Sequence, residues 1–209
     1  MFRAARGVID ATKGTVLGEE YAPAGEKDFT PVIRKIANEA PEILLFALPG
    51  ADGITFIKQA EEFGLLDQVT VAFLGFSETY LGAFGAGKGE NMITGVPFVA
   101  SDNDPGVADF VGRVRSLHGE DVGISHYVFA HYNALMALKL GLEASGDLTR
   151  EAAVDGMEGL VFDIATGRAS ILGNDHHTAM QMYIAKTEDG TLRVADRLGV
   201  IGPESGCSV

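Results

Sequence analysis

Residues 14–65 read GTVLGEEYAPAGEKDFTPVIRKIANEAPEILLFALPGADGITFIKQAEEFGL, and the order of segments in this stretch decides the fold class. Residues 15–20 predict a short strand, and a polar loop follows. Thr30 suits an N-cap and Pro31 the first helical position, where a missing N–H is harmless. Ile33, Ile36, Ala37 and Ala40 then fall on one face of that helix. Residues 43–48 are continuously apolar, as expected for a strand covered on both faces. Pro49 and Gly50 break the strand. Asp52 is placed to cap the next helix, whose Ile54, Ile57, Ala60 and Glu61 positions place two β-branched residues inward and which ends at Gly64, a residue suited to the left-handed C-terminal position. Strand alternating with helix is the pattern of a parallel sheet with helical crossovers. Such sheets bind ligands outside the carboxyl ends of their strands. The loops after Glu20, after Leu48 and after Gly75 are therefore the places to look for function.

Working outward, the chain opens with a helix reaching about Thr12, and residues 69–74 and 92–98 read as further buried strands. Residues 101–105, SDNDP, form a polar turn in which Asp104 caps a helix over 105–117. The longest helix covers 126–144 and stops at Gly146, and Thr149 caps a shorter one. Residues 181–186, a Glu188-Asp189-Gly190 turn and residues 192–196 make a closing hairpin. There is no internal repeat.

The 209 residues suffice for one α/β domain or two small lobes. No run approaches the ~18–20 apolar residues of a membrane helix. A net charge of −13 argues against nucleic acid or an anionic membrane as partner, because both demand clustered Lys and Arg. Cys207 is the one cysteine, so no intrachain disulfide forms. The opening MFRAARGVIDATKG is not a secretory signal, since its apolar run is short and broken by charge.

Motifs for bond chemistry are weak. Residues 82–88, GAFGAGK, have the phosphate-loop spacing, but Gly89 stands where a magnesium-ligating Ser or Thr is needed. His176 and His177 are adjacent on what reads as extended chain and point to opposite sides, which does not suit one metal ion. His126 and His131 read as packing or surface residues, and Glu61-Glu62 as a solvated helix face. Ser77 in GFSET follows a strand, yet Thr79 replaces the glycine of a nucleophile elbow. No catalytic residue, metal or cofactor is expected.

The run DFTPVIRKIANEAPEILLFALPGADGITFIKQAEEFGL, with Asp28-Phe29, the strand to Leu48, the loop to Asp52 and Phe63-Gly64-Leu65, resembles the second lobe of the type I periplasmic solute-binding proteins. More narrowly it resembles the branch binding branched-chain amino acids, short amides or urea. A second match, GRASILGNDHHTAMQMYIAKTEDGTLRVADRLG, is similar to the last segment of the amide and urea branch. The resemblance implies an α/β fold: a three-layer αβα lobe with a mainly parallel sheet, plus a partial first lobe. Residues 1–99 and 178–209 would form lobe 2, and 100–177 part of lobe 1, with hinge crossings near 99–104 and 174–180. The family pattern opens with a further βαβ series, so the chain is expected to be its later part.

The resemblance also implies a function. The chain would be the extracytoplasmic, periplasmic solute-binding component of an ABC importer, closing on a small polar ligand (amino acid, amide or urea) and docking on an ABC permease. Its ligand-binding wall would comprise Tyr21, Pro49, Gly50, Asp52, Phe76, Ser77 and Glu78. In the family's amino-acid binders an acidic residue in the GFSET-like loop meets the ligand's ammonium group, and Glu78 or Ser77 holds roughly that place. A neutral amide would instead favour Ser77 and Thr79. Helices left without a first-lobe sheet would expose apolar faces, which predicts a homodimer or poor order. Two alternatives stay open: a cytoplasmic amide-sensing regulator of the same fold, and a small α/β hydrolase using Ser77.

Overall fold

The structure, a computed structural model, describes residues 2–85, 89–173 and 175–202. The chain divides into two compact units, one up to Ala72 and one from Phe73 onward.

The first unit holds α1 (Phe2–Ala11), α2 (Thr30–Glu39), β1 (Ile43–Phe46), α3 (Gly50–Glu62) and β2 (Thr70–Phe73), whose last residue opens the second unit. β1 and β2 are neighbours in the sheet and are joined through α3, the helical crossover that a parallel pair requires. The α/β class read from the sequence is thus observed. Phe29, Ile33, Phe46, Phe56, Ile57 and Ala60 form the buried core here. Phe56 meets Phe29 edge-on with ring centres 5.5 Å apart and Phe46 at 4.7 Å. Gln59 on α3 accepts from the Phe29 N–H and donates to the Lys27 carbonyl, each at 2.8 Å, which fixes the entry to α2.

Four expectations are corrected in this unit. Residues 15–20 form no strand: they are exposed, and their carboxylates pair with Arg6 (to Glu19) and Lys35 (to Glu20) rather than lining a ladder. Thr30 is the first helical residue, not the cap. Its N–H is instead satisfied by Asp28 Oδ1 at 3.0 Å, and the Thr30 hydroxyl, with this N–H second, holds the Asp28 carboxyl below its usual range. β1 is open on one face, with Ile43 and Leu45 exposed. Asp52 does not cap α3, because its Oδ2 accepts from the Gly25 N–H at 2.8 Å.

The second unit comprises α4 (Glu78–Phe84), β3 (Met92–Val96), α5 (Pro105–His118), α6 (His126–Ser145), α7 (Arg150–Met157), β4 (Val161–Ile164), β5 (Gly167–Ile171), β6 (Thr178–Glu188) and β7 (Thr191–Ile201). Its strands run in the order β3-β6-β5-β4, with β7 also on β6, and each of these ladders is antiparallel. β6 changes partner along its length: Thr178 and Ala179 pair with β5, whereas Tyr183 to Lys186 pair with β3. The hairpin β6–β7 turns on Asp189 (φ +50°) and Gly190 (φ +67°), the two positive dihedrals of a type I′ turn. β6 and β7 are longer than the sequence suggests, and the β4–β5 hairpin was not anticipated.

Helix ends follow the side-chain chemistry. Asp104 Oδ1 accepts from Gly106 N–H at 2.9 Å at the start of α5, and Thr149 Oγ1 from Ala152 N–H at 3.3 Å at the start of α7. Each such cap contributes about 1 kcal/mol. Gly146 ends α6 at φ +71°. Two apolar clusters lie beneath α5 and α6. In one, Phe98 stacks on Phe129 at 4.8 Å and meets Phe110 edge-on at 5.6 Å. The other joins Ala137 of α6 to Phe162, Ala169 and Ile171 of the β4–β5 hairpin.

Candidate functional site

The loop after β2, with the start of α4, is held from several sides. Gly75 takes φ +78°, a conformation that side-chain-bearing residues rarely adopt. Phe76 is fully buried, with ring centres of Phe73 at 5.5 Å and of Tyr80 and Phe84 at 6.1 Å. Ser77 is likewise fully buried, and its hydroxyl is hydrogen-bonded to that of Thr79 at 2.8 Å.

Glu78 carries the site's distinctive chemistry. Its Oε1 accepts from the Ala100 N–H at 2.8 Å, while its buried Oε2 has no partner. Burial raises the carboxyl pKa, and the Ala100 N–H acts in the opposite direction. An orphaned buried carboxylate oxygen is an unmet demand for a donor.

The start of α6 approaches the same loop. The Tyr127 hydroxyl donates to the Gly75 carbonyl at 3.0 Å. Its neighbour His126 is 8% exposed, lies 4.1 Å from the Tyr127 ring between centres, and has a buried Nδ1 with no partner. Burial depresses its pKa to about 4, so the ring is neutral at ordinary pH. Gly123, just before α6, faces Thr79 closely enough that a Cβ there would lie 3.6 Å from the threonine methyl.

The second unit therefore brings Phe76, Ser77 and Glu78 together with Ala100, His126 and Tyr127. The remaining expected wall residues belong to the first unit. Tyr21 is 76% exposed and donates to Glu19 Oε2 at 3.3 Å. Pro49 is the N-cap of α3 with extended ψ of 156°, and Gly50 begins the helix at φ +64°. Asp52 holds the loop before α2 through Gly25.

The other motifs stand apart. His176 pairs with Glu158 at 3.4 Å and His177 with Asp175 at 3.3 Å, two separate contacts. Among the described residues no three of His, Cys, Asp or Glu gather as a metal site. Of the phosphate-loop spacing, Gly82 and Phe84 lie in α4, and residues 86–88 fall outside the described residues. Sequence reasoning missed Ala100 and Tyr127. Only the position of Tyr127 at the outset of the longest helix hinted at a role.

Residues 1–191 match the model of a family described as periplasmic binding protein. The chain belongs to that family. Solved structures agree on the fold. An amino acid ABC transporter substrate-binding protein from Pseudomonas fluorescens Pf-5 superposes with a TM-score of 0.82 at 17% identity, over 97% of this chain and 56% of that one. An ABC transporter substrate-binding protein from Sphaerobacter thermophilus gives 0.81 at 22% identity, over 95% and 56%. A solute-binding protein of an ABC transporter from Rhodopseudomonas palustris HaA2, in complex with p-hydroxybenzoic acid, gives 0.82 at 20%, over 96% and 56%. The chain thus spans little more than half the length of these relatives. No curated protein matches it at a significant level.

Proposed function

We propose that the chain is the later part of an extracytoplasmic solute-binding protein that delivers a small ligand to an ABC permease. The observation that carries this is Glu78, a partly buried carboxylate at the start of α4, with one oxygen tied to Ala100 and the other buried and unpartnered. In this reading residues 1–99 and 178–209 form lobe 2 and 100–177 part of lobe 1, with crossings near 99–104 and 174–180. The change of partner along β6 after Ala179 supports the second crossing. The Glu78–Ala100 bond ties the ligand loop to the first. The mechanism is hinge closure around the ligand with no bond made or broken.

The ligand that fits the orphaned oxygen is a donor: the ammonium of an amino acid, or the N–H of an amide or urea. The solved relatives bind different solutes, and a benzoate-type acid is the second reading. Burial favours the protonated form of Glu78, and a protonated carboxyl tolerates an anionic neighbour. A Ser77 hydrolase is disfavoured, because that hydroxyl is fully buried and committed to Thr79. Among the described residues no helix is long and apolar enough to cross a membrane.

Thermal unfolding of the chain with L-leucine, acetamide, urea and 4-hydroxybenzoate, repeated with Glu78→Gln, tests the reading. The expected result is a raised melting temperature with one probe. For L-leucine the glutamine variant would lose it, since a buried ammonium needs the charge. No rise with any probe, with urea held below denaturing concentrations, would sink solute binding by this chain.

A further inference from the structure

Tyr127 reaches from the first turn of α6 to the backbone of the candidate ligand loop. Its hydroxyl donates to the Gly75 carbonyl at 3.0 Å. Gly75 is the residue type that allows this approach. It sits at φ +78°, and a Cβ there would stand 2.8 Å from the tyrosine oxygen. The ring itself is steadied by His126, 4.1 Å away between centres. Burial and the nearby Tyr80 both raise the phenol's pKa, so it remains a donor at neutral pH. Nearly half of the residue's surface is nevertheless exposed, so the bond spans an open edge rather than a packed core.

We propose that Tyr127 is a positioning residue for ligand binding: its bond to Gly75 latches α6 to the 75–79 loop and holds the closed arrangement before a ligand arrives. This rests on the hinge-closing reading above, in which Gly75 and Tyr127 belong to opposite lobes. A latch of one hydrogen bond biases the closed state by about fivefold. Ligand affinity improves by up to the same factor, because less of the binding free energy goes into closing an open chain.

The test uses the full chain without ligand. Spin labels are placed at exposed Lys139 on α6 and exposed Arg193 on β7, with Cys207→Ser to leave no other thiol. Distances between labels are compared for the parent and for Tyr127→Phe, which keeps the ring and removes only the donor. The expected result is a longer second population in Tyr127→Phe, with the open-to-closed ratio raised about fivefold. Gly75→Ala, which pushes the same hydroxyl away from the other side, is expected to give the same population. An unchanged distribution in both variants overturns the latch. So does a lowered melting temperature without a new population, which would make the bond merely structural. Binding of L-leucine and 4-hydroxybenzoate is measured on the same samples. If neither binds to any of them, the solute-binding reading fails while the distance measurement still decides the latch.

Discussion

Arg197 on β7 donates through Nη2 to Asp102 Oδ1 at 2.6 Å, and the two partners differ sharply in exposure: the Asp102 side chain is 5% exposed, that of Arg197 50%. The guanidinium also lies over the Tyr183 ring, 5.2 Å from its centre. Asp102 Oδ2 is buried with no partner. This pair pins the segment between β3 and α5 to the β6–β7 hairpin. Because the carboxylate is the buried member, the two deletions are unequal. Arg197→Ala leaves a buried charge unpaired and is expected to cost about 3 kcal/mol. Asp102→Asn keeps the shape and a neutral acceptor, and is expected to cost about 1–2 kcal/mol. Urea unfolding of both variants checks the order, and a larger loss in Asp102→Asn would contradict it.

Helices α6 and α7 touch backbone to backbone. A Cβ at Gly156 would come 2.1 Å from the Gly141 carbonyl oxygen, and one at Gly141 would come 2.7 Å from the Met157 side chain. Neither helix can yield without moving its neighbour, since α6 also buries Ala137 against the β4–β5 hairpin. Gly156→Ala is expected to destabilise by about 3 kcal/mol through overpacking, even though alanine is the better helix former. Gly112 on α5 is the control: a Cβ there meets nothing within 4 Å, and Gly112→Ala is expected to be neutral or stabilising. Thermal melts of the two variants should move in opposite directions.

Local chemistry in the chain announced many element ends. Asp104 and Thr149 cap as their spacing suggests, and Gly64, Gly146 and Gly190 take the positive φ their positions require. These depend on residues a few places apart. What depends on distant partners was not legible. Residues 15–20 look strand-like until Arg6 and Lys35 claim their carboxylates. β4 and β5 are four and five residues long and gain strand character from pairing with each other and with β6. The loop at 75–79 was singled out from its place after a strand. Yet its partners Ala100 and Tyr127 lie 22 and 52 residues away from the groups they bind, separations that leave no mark on local pattern.

His126 and Glu78 should give the chain opposing pH dependences. For His126 the folded-state pKa is about 4 against an ordinary 6.5. The unfolded state then binds more protons between those values, so this residue's contribution is complete above pH 6.5 and lost as pH falls to about 4. The loss amounts to about 3 kcal/mol. Glu78 has a raised pKa, so its contribution is complete below its ordinary 4.5 and fades as pH rises through the folded value. Chemical denaturation from pH 4 to 8 should show His126→Gln flattening the acid side of the profile. Glu78→Gln should instead gain on the parent as pH increases. Parallel profiles for parent and both variants would contradict this assignment.

Helices α5 and α6 carry more apolar surface than an isolated chain tolerates well. Tyr127, Val128, Tyr132, Leu135 and Leu138 of α6 are exposed, Leu135 at 68%, and Leu117 of α5 is exposed as well. A groove of about 360 Å³ between the helices is lined by Phe110, Val114, Leu117, Val122, Val128 and Tyr132. Contiguous patches of this kind mark surfaces that another protein surface covers. The chain spans 56% of its solved relatives, so in a full-length protein that cover is a matter for the remaining sequence; for this chain alone a second copy is the expected cover. Native mass spectrometry is expected to show a dimer of the 22.0 kDa chain. Leu135→Glu should weaken it at least tenfold, about 1.4 kcal/mol, by burying a charge in the contact. Its melting temperature at low concentration should not fall, because Leu135 contributes little to the monomer's own core. A parent that stays monomeric at all concentrations would show that this face needs no cover.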